Sequence, residues 1–274
     1  MTGLFRCPLC ALPLHAHQAS GGWYCDGKHH FDKREPGFWG FAKPAKGKVQ
    51  GDSRAELRAK HFLLESGILM PAITALAETV TGLAGTDGTL KALDFDCGDG
   101  YFSRALAAAL PKTLALELQA VTEAENAAFA AAKAKGPAGI SYASLKSLPY
   151  ADGAFDMLWL MDKALKGKDG LRVLKQGGLL VNLAQGPRHL WQLRQYIYGD
   201  LSEKPFVANL PAGMTLVSER AVSFTLDLKP EAALVLLEMT PYAWRLKDAM
   251  RHQILRGDFS ALELDYRIVV AQKA

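Results

Sequence analysis

From Leu90 onward the chain alternates short apolar runs with helix-like segments, and this alternation restricts the fold more than any other feature. Residues 91–95, 113–118, 140–143, 155–161 and 178–183 read as strands. Residues 101–110, an alanine-rich stretch over about 120–135, and a stretch near 168–175 read as helices. A strand followed by a helix and another strand pairs in parallel, because the helix carries the chain back across the sheet. The pattern therefore predicts a doubly wound α/β sheet. Residues 214–227 and 262–271 read as a late, largely antiparallel pair. Upstream, Asp52 or Ser53 can cap a helix starting near Arg54, with Glu56 three residues after Ser53 at capping-box spacing. That helix runs to about residue 67, and a second follows over about 71–80.

Between the first strand of the alternation and its helix lies Asp96-Cys97-Gly98-Asp99-Gly100. Small residues at such a turn let the backbone approach a ligand, and the following helix offers free amides. Glu117, read as the end of the second strand, can take both hydroxyls of a ribose. The turn is not G-x-G-x-x-G, so a dinucleotide is not indicated. The spacing suits a nucleoside ligand without a pyrophosphate, such as S-adenosylmethionine. Gly98 and Gly100 also fit a tight strand–helix connection with no ligand at all.

The N-terminal end carries a second kind of chemistry. Cys7, Cys10 and Cys25 lie in a C-x2-C…C-x3-H arrangement closed by His29, and Cys97 is the only other cysteine. A C-x2-C knuckle puts two thiolates on one side of a turn, and the second pair can complete a tetrahedron around Zn²⁺. Ser20-Gly21-Gly22 is a turn signal and Trp23-Tyr24 a strand signal, the layout of a zinc ribbon. His30 competes with His29 for the fourth position. Reduced cysteines with unrelated histidines nearby are the metal-free alternative. The ribbon, residues 1–42, ends in an aromatic patch of Phe31, Phe38, Trp39 and Phe41. Residues 43–52 read as a basic linker and 53–274 as the main domain.

Composition bounds the function classes. Of 274 residues, 49% are hydrophobic and 22% charged, which fits one large domain plus an appendage. No apolar run is long enough to span a bilayer, and no signal-peptide core precedes the ribbon, so a cytoplasmic protein with no membrane partner is expected. The net charge of +4 is unevenly placed: residues 1–60 hold ten Lys/Arg and five Asp/Glu. A basic zinc module suits a polyanionic partner; it equally suits a solvated linker.

Several blocks together resemble a known family, the bacterial 23S ribosomal RNA guanine-N1-methyltransferases. They include Cys7, Cys10, Cys25, His29, Phe31 and Asp32 of the ribbon, Gly51-Asp52-Ser53, the glycine turn, and Leu148-Pro149-Tyr150. The most specific are Gly186-Pro187-Arg188-His189-Leu190 with Ile197-Tyr198, and Met239-Thr240-Pro241-Tyr242-Ala243-Trp244-Arg245. The resemblance covers nearly the whole chain. It implies a Rossmann-like, seven-stranded methyltransferase sheet with an N-terminal zinc ribbon, the cofactors S-adenosyl-L-methionine and Zn²⁺, and a 23S ribosomal RNA hairpin or pre-ribosomal particle as substrate. A homodimer stays open. It implies Cys7, Cys10, Cys25 and His29 as zinc ligands. Leu69, Gly98, Asp99, Gly100, Glu117 and His189 are implied near the cofactor, with Leu69 where the family often has tyrosine and Glu117 where it has aspartate.

Two departures stand out. Asp96 replaces the first glycine of the family's D-x-G-C-G-E-G, and Leu160-Met161-Asp162-Lys163 replaces its I-Y-A-P after the fourth strand. A carboxylate at Asp96 repels a bound carboxylate, binds an ammonium, or shifts the loop. These departures motivate an alternative, a non-catalytic RNA-binding protein on a degenerate scaffold; a methyltransferase for another substrate is the second. Guanine-N1 transfer needs a base held outside its stack and an acceptor for the N1 proton. Tyr198, Tyr242 and Trp244 are candidates for stacking. Asp162 is a candidate acceptor or a helix N-cap, and Arg188 and Arg245 are candidates for phosphates or for pairing with surface acids. No catalytic base is assigned.

Overall fold

The computed structural model describes residues 3–42 and 51–274. Most of the basic linker, with Lys43, Lys46 and Lys48, lies outside them. The ribbon contains β1 (His15–His17), β2 (Gly22–Tyr24) and β3 (His30–Phe31), a small antiparallel sheet. Next come β4 (Lys33–Arg34), β5 (Phe38–Gly40), α1 (Arg54–Glu65) and α2 (Met70–Ala84). The alternating region supplies β6 (Thr89–Phe95), α3 (Tyr101–Ala109), β7 (Ala115–Thr122), α4 (Glu125–Lys133), β8 (Gly139–Tyr142), β9 (Phe155–Met161), α5 (Asp169–Val173) and β10 (Leu174–Gln185). The chain ends with α6 (Trp191–Arg194), β11 (Met214–Leu228), α7 (Pro230–Glu238), α8 (Asp248–Ile254) and β12 (Phe259–Lys273).

Among the described residues nine strands form one sheet, in the order β11-β12-β10-β9-β6-β7-β8-β5-β4. The strands from β8 to β10 pair in parallel, and β12 runs antiparallel between β10 and β11. Strands β8-β7-β6-β9-β10-β12-β11 are the seven expected from the resemblance. The chain steps outward from β6 to β8, then crosses back to β9 on the other side of β6. That reversal leaves a crevice at the C-terminal ends of β6 and β9, where the two flanking loops part.

Each central strand alternates between two cores, the period-2 signature of a strand buried on both faces. Ala92, Met157, Trp159 and Val181 face one core with Leu64, Ile73, Leu76, Leu106 and Leu237 of the helices. Leu93, Phe95, Leu158 and Leu180 face the other, which they share with Phe5, Trp23, Phe31 and Phe41 of the ribbon. Ser53 caps α1 with the full capping box expected. Among the described residues no single helix is long and apolar enough to cross a membrane.

The ribbon is built into the body. β5 pairs in parallel with β8, through Trp39 with Ser141 and Gly40 with Tyr142. Phe5 lies 4.5 Å from Trp23 and 5.4 Å from Tyr150, ring centre to ring centre. Phe38 and Phe41 are only 2% and 6% exposed, so their rings serve the core and are closed to RNA bases. Burial of each such ring is worth roughly 1.5–3 kcal/mol.

One strand differs from its sequence reading in a way that moves a site residue. β7 spans Ala115–Thr122, four residues past the expected end at 118. Ala120-Val121-Thr122 looks like the start of the alanine-rich helix. It lies between β6 and β8 and pairs with both, and the helix is confined to Glu125–Lys133.

Candidate active site and metal centre

At the crevice β6 runs out of ladder and the backbone turns through Asp96, Gly98 and Gly100, with φ of 63°, 58° and 75°. A Cβ added at Gly98 would meet no atom within 4 Å, so this is the point where the turn opens to a ligand. At Gly100 a Cβ would lie 3.2 Å from Ala131 Cβ, so that glycine serves the packing of α3 on α4. The cleft above the turn, about 140 Å³, is walled by Leu57, Leu64, Leu69 and Phe102, with Asp94, Asp96 and Asp99 at its floor. Asp96, Gly98 and Lys163 also line an adjoining hollow of about 340 Å³ beside Thr122, Glu123 and Ala127.

The structure brings Leu69, Gly98, Asp99 and His189, all expected near the cofactor, together along this cleft. It does not bring Glu117 there. Glu117 sits near the start of β7, exposed, 3.6 Å from Lys91 Nζ. Six residues of strand, roughly 20 Å, separate it from the crevice end. The acid that the end of β7 delivers is Glu123, which accepts a hydrogen bond from Leu145 N at 3.2 Å and pairs with Lys166 at 3.1 Å. The signal that identifies it is β-branched Val121-Thr122 continuing the strand up to the acid.

The two departures from the family pattern meet in space. Lys163 Nζ lies 3.2 Å from the Asp96 carboxylate and donates to the Asp96 carbonyl at 2.8 Å. Lys166 Nζ reaches the same carboxylate at 3.7 Å. Asp96 therefore arrives in the cleft with its charge already compensated. Its left-handed backbone is the conformation a glycine adopts freely, and aspartate is among the few other residues that accept it.

Asp162 follows β9 directly, and no helix begins there: the next, α5, starts at Asp169, so the N-cap expectation is not met. Its backbone N–H donates to Leu183 O at 2.8 Å and its Oδ2 accepts from Gln185 Nε2 at 2.8 Å. Oδ1 has no hydrogen-bond partner among the described residues. Burial pushes the carboxyl up to about 7, against the pull of Gln185 and Lys163. The side chain borders both the cleft and a cavity of about 530 Å³ over the ends of β9 and β10. Asp94, 1% exposed, accepts a hydrogen bond from Ser103 Oγ, and burial pushes it up to about 6. Asp99 holds its turn by accepting from Tyr101 N at 3.1 Å and from His61 Nδ1 at 2.9 Å.

His189 is 1% exposed and its Nδ1 lies 3.1 Å from Asp265 O. A carbonyl only accepts, so Nδ1 carries the proton and Nε2 the lone pair. Burial pushes this imidazole down to about 4, against the attraction of Asp265, and keeps it neutral at physiological pH.

In the ribbon, the Sγ atoms of Cys7, Cys10 and Cys25 and a ring nitrogen of His29 lie within 4.8 Å of one another. Cys7 Sγ and Cys25 Sγ each stand 3.5 Å from His29 Nδ1, and Cys10 Sγ is 3.6 Å from Cys25 Sγ. Those separations suit the edges of a tetrahedron with bonds of ~2.0–2.3 Å. A Cβ at Gly27 would sit 3.1 Å from Cys10 Sγ and 3.5 Å from His29 Nδ1, so the glycine keeps the cradle open. The donor set fits Zn²⁺. His30 is turned away and stacks on Tyr24 at 6.1 Å.

No family model matches the chain. A Bacillus subtilis (strain 168) protein with the provisional name 23S rRNA (guanine-N(1)-)-methyltransferase YxjB is 26% identical, covering 98% of this chain and 97% of that one. The 23S rRNA (guanine(748)-N(1))-methyltransferase of Streptomyces fradiae is also 26% identical, over 87% of this chain and 85% of its own. The chain is thus similar along nearly its whole length to proteins named as ribosomal RNA guanine-N1-methyltransferases. Among solved structures, Haemonchus contortus phosphoethanolamine N-methyltransferase 2 in complex with S-adenosyl-L-methionine is 14% identical at a TM-score of 0.46, covering 81% of this chain and 57% of that one.

Proposed function

We propose that this chain transfers a methyl group from S-adenosyl-L-methionine to N1 of a guanine in a hairpin of 23S ribosomal RNA, with a structural Zn²⁺ in its ribbon. The observation that carries the reading is the similarity over 98% of the chain to a protein so named, since it spans ribbon and body together. The cleft supports it. Leu57, Leu64, Leu69 and Phe102 offer apolar walls, while Asp94 and Asp99 suit a ligand bearing an ammonium and a sulfonium. The open space at Gly98 leaves room for that ligand against the backbone. Glu123, in the adjoining hollow, is the acid suited to a ribose diol.

When bound, S-adenosyl-L-methionine supplies an electrophilic methyl group. The chain's own task is to present guanine N1 and remove its proton. Asp162 is suited to this because Gln185 fixes one carboxylate oxygen and leaves the other to accept N1–H. A carboxyl near 7 is a stronger base than an ordinary aspartate and is still largely ionised just above neutrality. His189, neutral, adds no positive charge beside a cationic cofactor. The degenerate-scaffold alternative loses its motive here, because Asp96 and Lys163 neutralise each other.

The test is mass mapping of methylated guanines in ribosomal RNA from cells with and without the gene. It is joined to transfer assays with purified protein on hairpin transcripts and on ribosomal particles. One 1-methylguanine lost on deletion and restored in vitro is expected. An unchanged modification map together with no transfer to either substrate would overturn the reading.

A further inference from the structure

Two segments, around Arg188–Tyr198 and Thr240–Arg245, form a ladder of planar groups beside the cleft. Arg194 lies over Trp191 at 5.8 Å and over Tyr242 at 5.2 Å. Tyr242 meets Tyr198 edge-on at 6.2 Å. Arg245 lies over Tyr198 at 5.2 Å and over Trp244 at 4.5 Å. Trp244 ends the ladder with 77% of its surface exposed.

The cations of this ladder divide into two kinds. Arg188, over Trp191 at 4.7 Å, is spent on Glu263 at 2.5 Å and Glu203 at 3.2 Å. Arg194 and Arg245 have no carboxylate partner among the described residues. Arg194 is held instead by the carbonyls of Pro187 and His189, and its Nε is buried without a partner. Among the described residues that line the adjoining cavity of about 390 Å³, Asp200 is the one acid, and Lys204 lines it as well.

The ladder is continuous with the reaction cleft. Thr240 lines the cleft, and its hydroxyl accepts from Tyr242 N at 3.2 Å. Gln185, which holds Asp162, lines the cavity beneath Arg194 and Tyr242. A single exposed tryptophan needs no explanation. An exposed tryptophan under an unpaired guanidinium, continuing through two tyrosines to the cleft rim, matches what unpaired nucleotides recognise: flat faces for bases and free cations for phosphates. A paired duplex offers the phosphates but hides the base faces.

We infer that the ladder from Trp191 through Tyr242 and Tyr198 to Trp244 is a stacking surface for unpaired RNA nucleotides flanking the target guanine. This deepens the proposed function and rests on it for the identity of the polymer, but its test does not depend on methyl transfer. Fluorescence anisotropy with the full chain would compare a labelled RNA hairpin having an unpaired loop with a fully paired RNA duplex of equal length. Trp244→Ala, at an exposed position, is expected to weaken loop binding roughly tenfold, and Trp244→Phe to retain most of it. Arg245→Gln is expected to weaken loop binding as well, and neither Trp244 variant to change duplex binding by more than about twofold. Loop affinity unchanged in a Trp244→Ala/Arg245→Gln double variant overturns the inference. So does equal loss on loop and duplex, or a wild-type chain that does not bind the loop. A chain that binds the loop through these residues yet transfers no methyl group overturns the proposed function and leaves the ladder standing.

Discussion

Asp162 carries the sharpest predictions at the scale of single residues. Its carboxyl is raised to about 7, so the ionised, proton-accepting form grows as pH rises through that value. The rate of methyl transfer at low substrate is therefore expected to climb with pH up to about 7 and then level off. Asp162→Asn should lose that limb and roughly 10²–10⁴ of the rate. The same residue costs stability. A raised carboxyl binds more protons folded than unfolded between its ordinary pKa and about 7, so its contribution falls as pH rises through that window. Asp162→Asn should then melt higher than the wild type at pH 8, with a smaller difference at pH 5. A variant that keeps both activity and the pH limb would remove Asp162 from the mechanism. Calorimetry distinguishes the two glutamates. Glu123→Gln is expected to weaken S-adenosylmethionine binding by about 1.5–3 kcal/mol, the worth of a charge-assisted hydrogen bond. Glu117→Gln, altered at the far end of the strand beside Lys91, is expected to leave binding unchanged.

At the scale of elements, the ribbon depends on its metal and the sheet edge depends on the ribbon. Three short strands and one turn bury too little surface to hold themselves, which is the usual reason a module of this size takes a metal. Purified protein is expected to contain one Zn²⁺ per chain by elemental analysis. His29→Ala should lose the metal and His30→Ala should keep it, since only His29 stands within 3.5 Å of two thiols. The opposite pattern would assign the fourth ligand to His30. Stripping zinc with a chelator should also lower the melting temperature of the whole chain, because Phe5, Trp23, Phe31 and Phe41 share a core with Leu93, Tyr150 and Phe155.

At the scale of the whole molecule, the unit is ribbon plus body. A chain starting at Gly51 loses β4 and β5 from the sheet edge and uncovers the apolar face formed by Leu93, Leu158 and Leu180. It is expected to aggregate, or to bind a hydrophobic dye, where the full chain does neither. A soluble, cofactor-binding truncation with a cooperative melt would show that the face is closed some other way. The cleft belongs to this scale too. It exists because the strand order reverses at β6, and its floor joins the end of β6 to the loop after β9 through Asp96 and Lys163. Those two positions are 67 residues apart, and a sequence window around either shows an odd charge with no reason for it.

Local chemistry by itself determined a good deal of this protein. The strand and helix alternation, the capping box at Ser53 and Glu56, the glycine turn and the four metal-ligand side chains all follow from periodicity and short spacing. Each is governed by contacts a few residues apart or, in the ribbon, by two close pairs. What the tertiary structure decided depends on neighbours distant in the chain. Strand β7 ends at Thr122 because β6 supplies ladder partners as far as Val121 and β8 as far as Thr122, and only that end brings Glu123 to the hollow beside the cleft in place of Glu117. Phe38 and Phe41 of the aromatic patch became core where β5 joined β8. Asp96 became harmless because Lys163 lies beside it. Asp162 acquired its raised pKa from burial at the end of β9, a property of its surroundings that no spacing along the chain encodes.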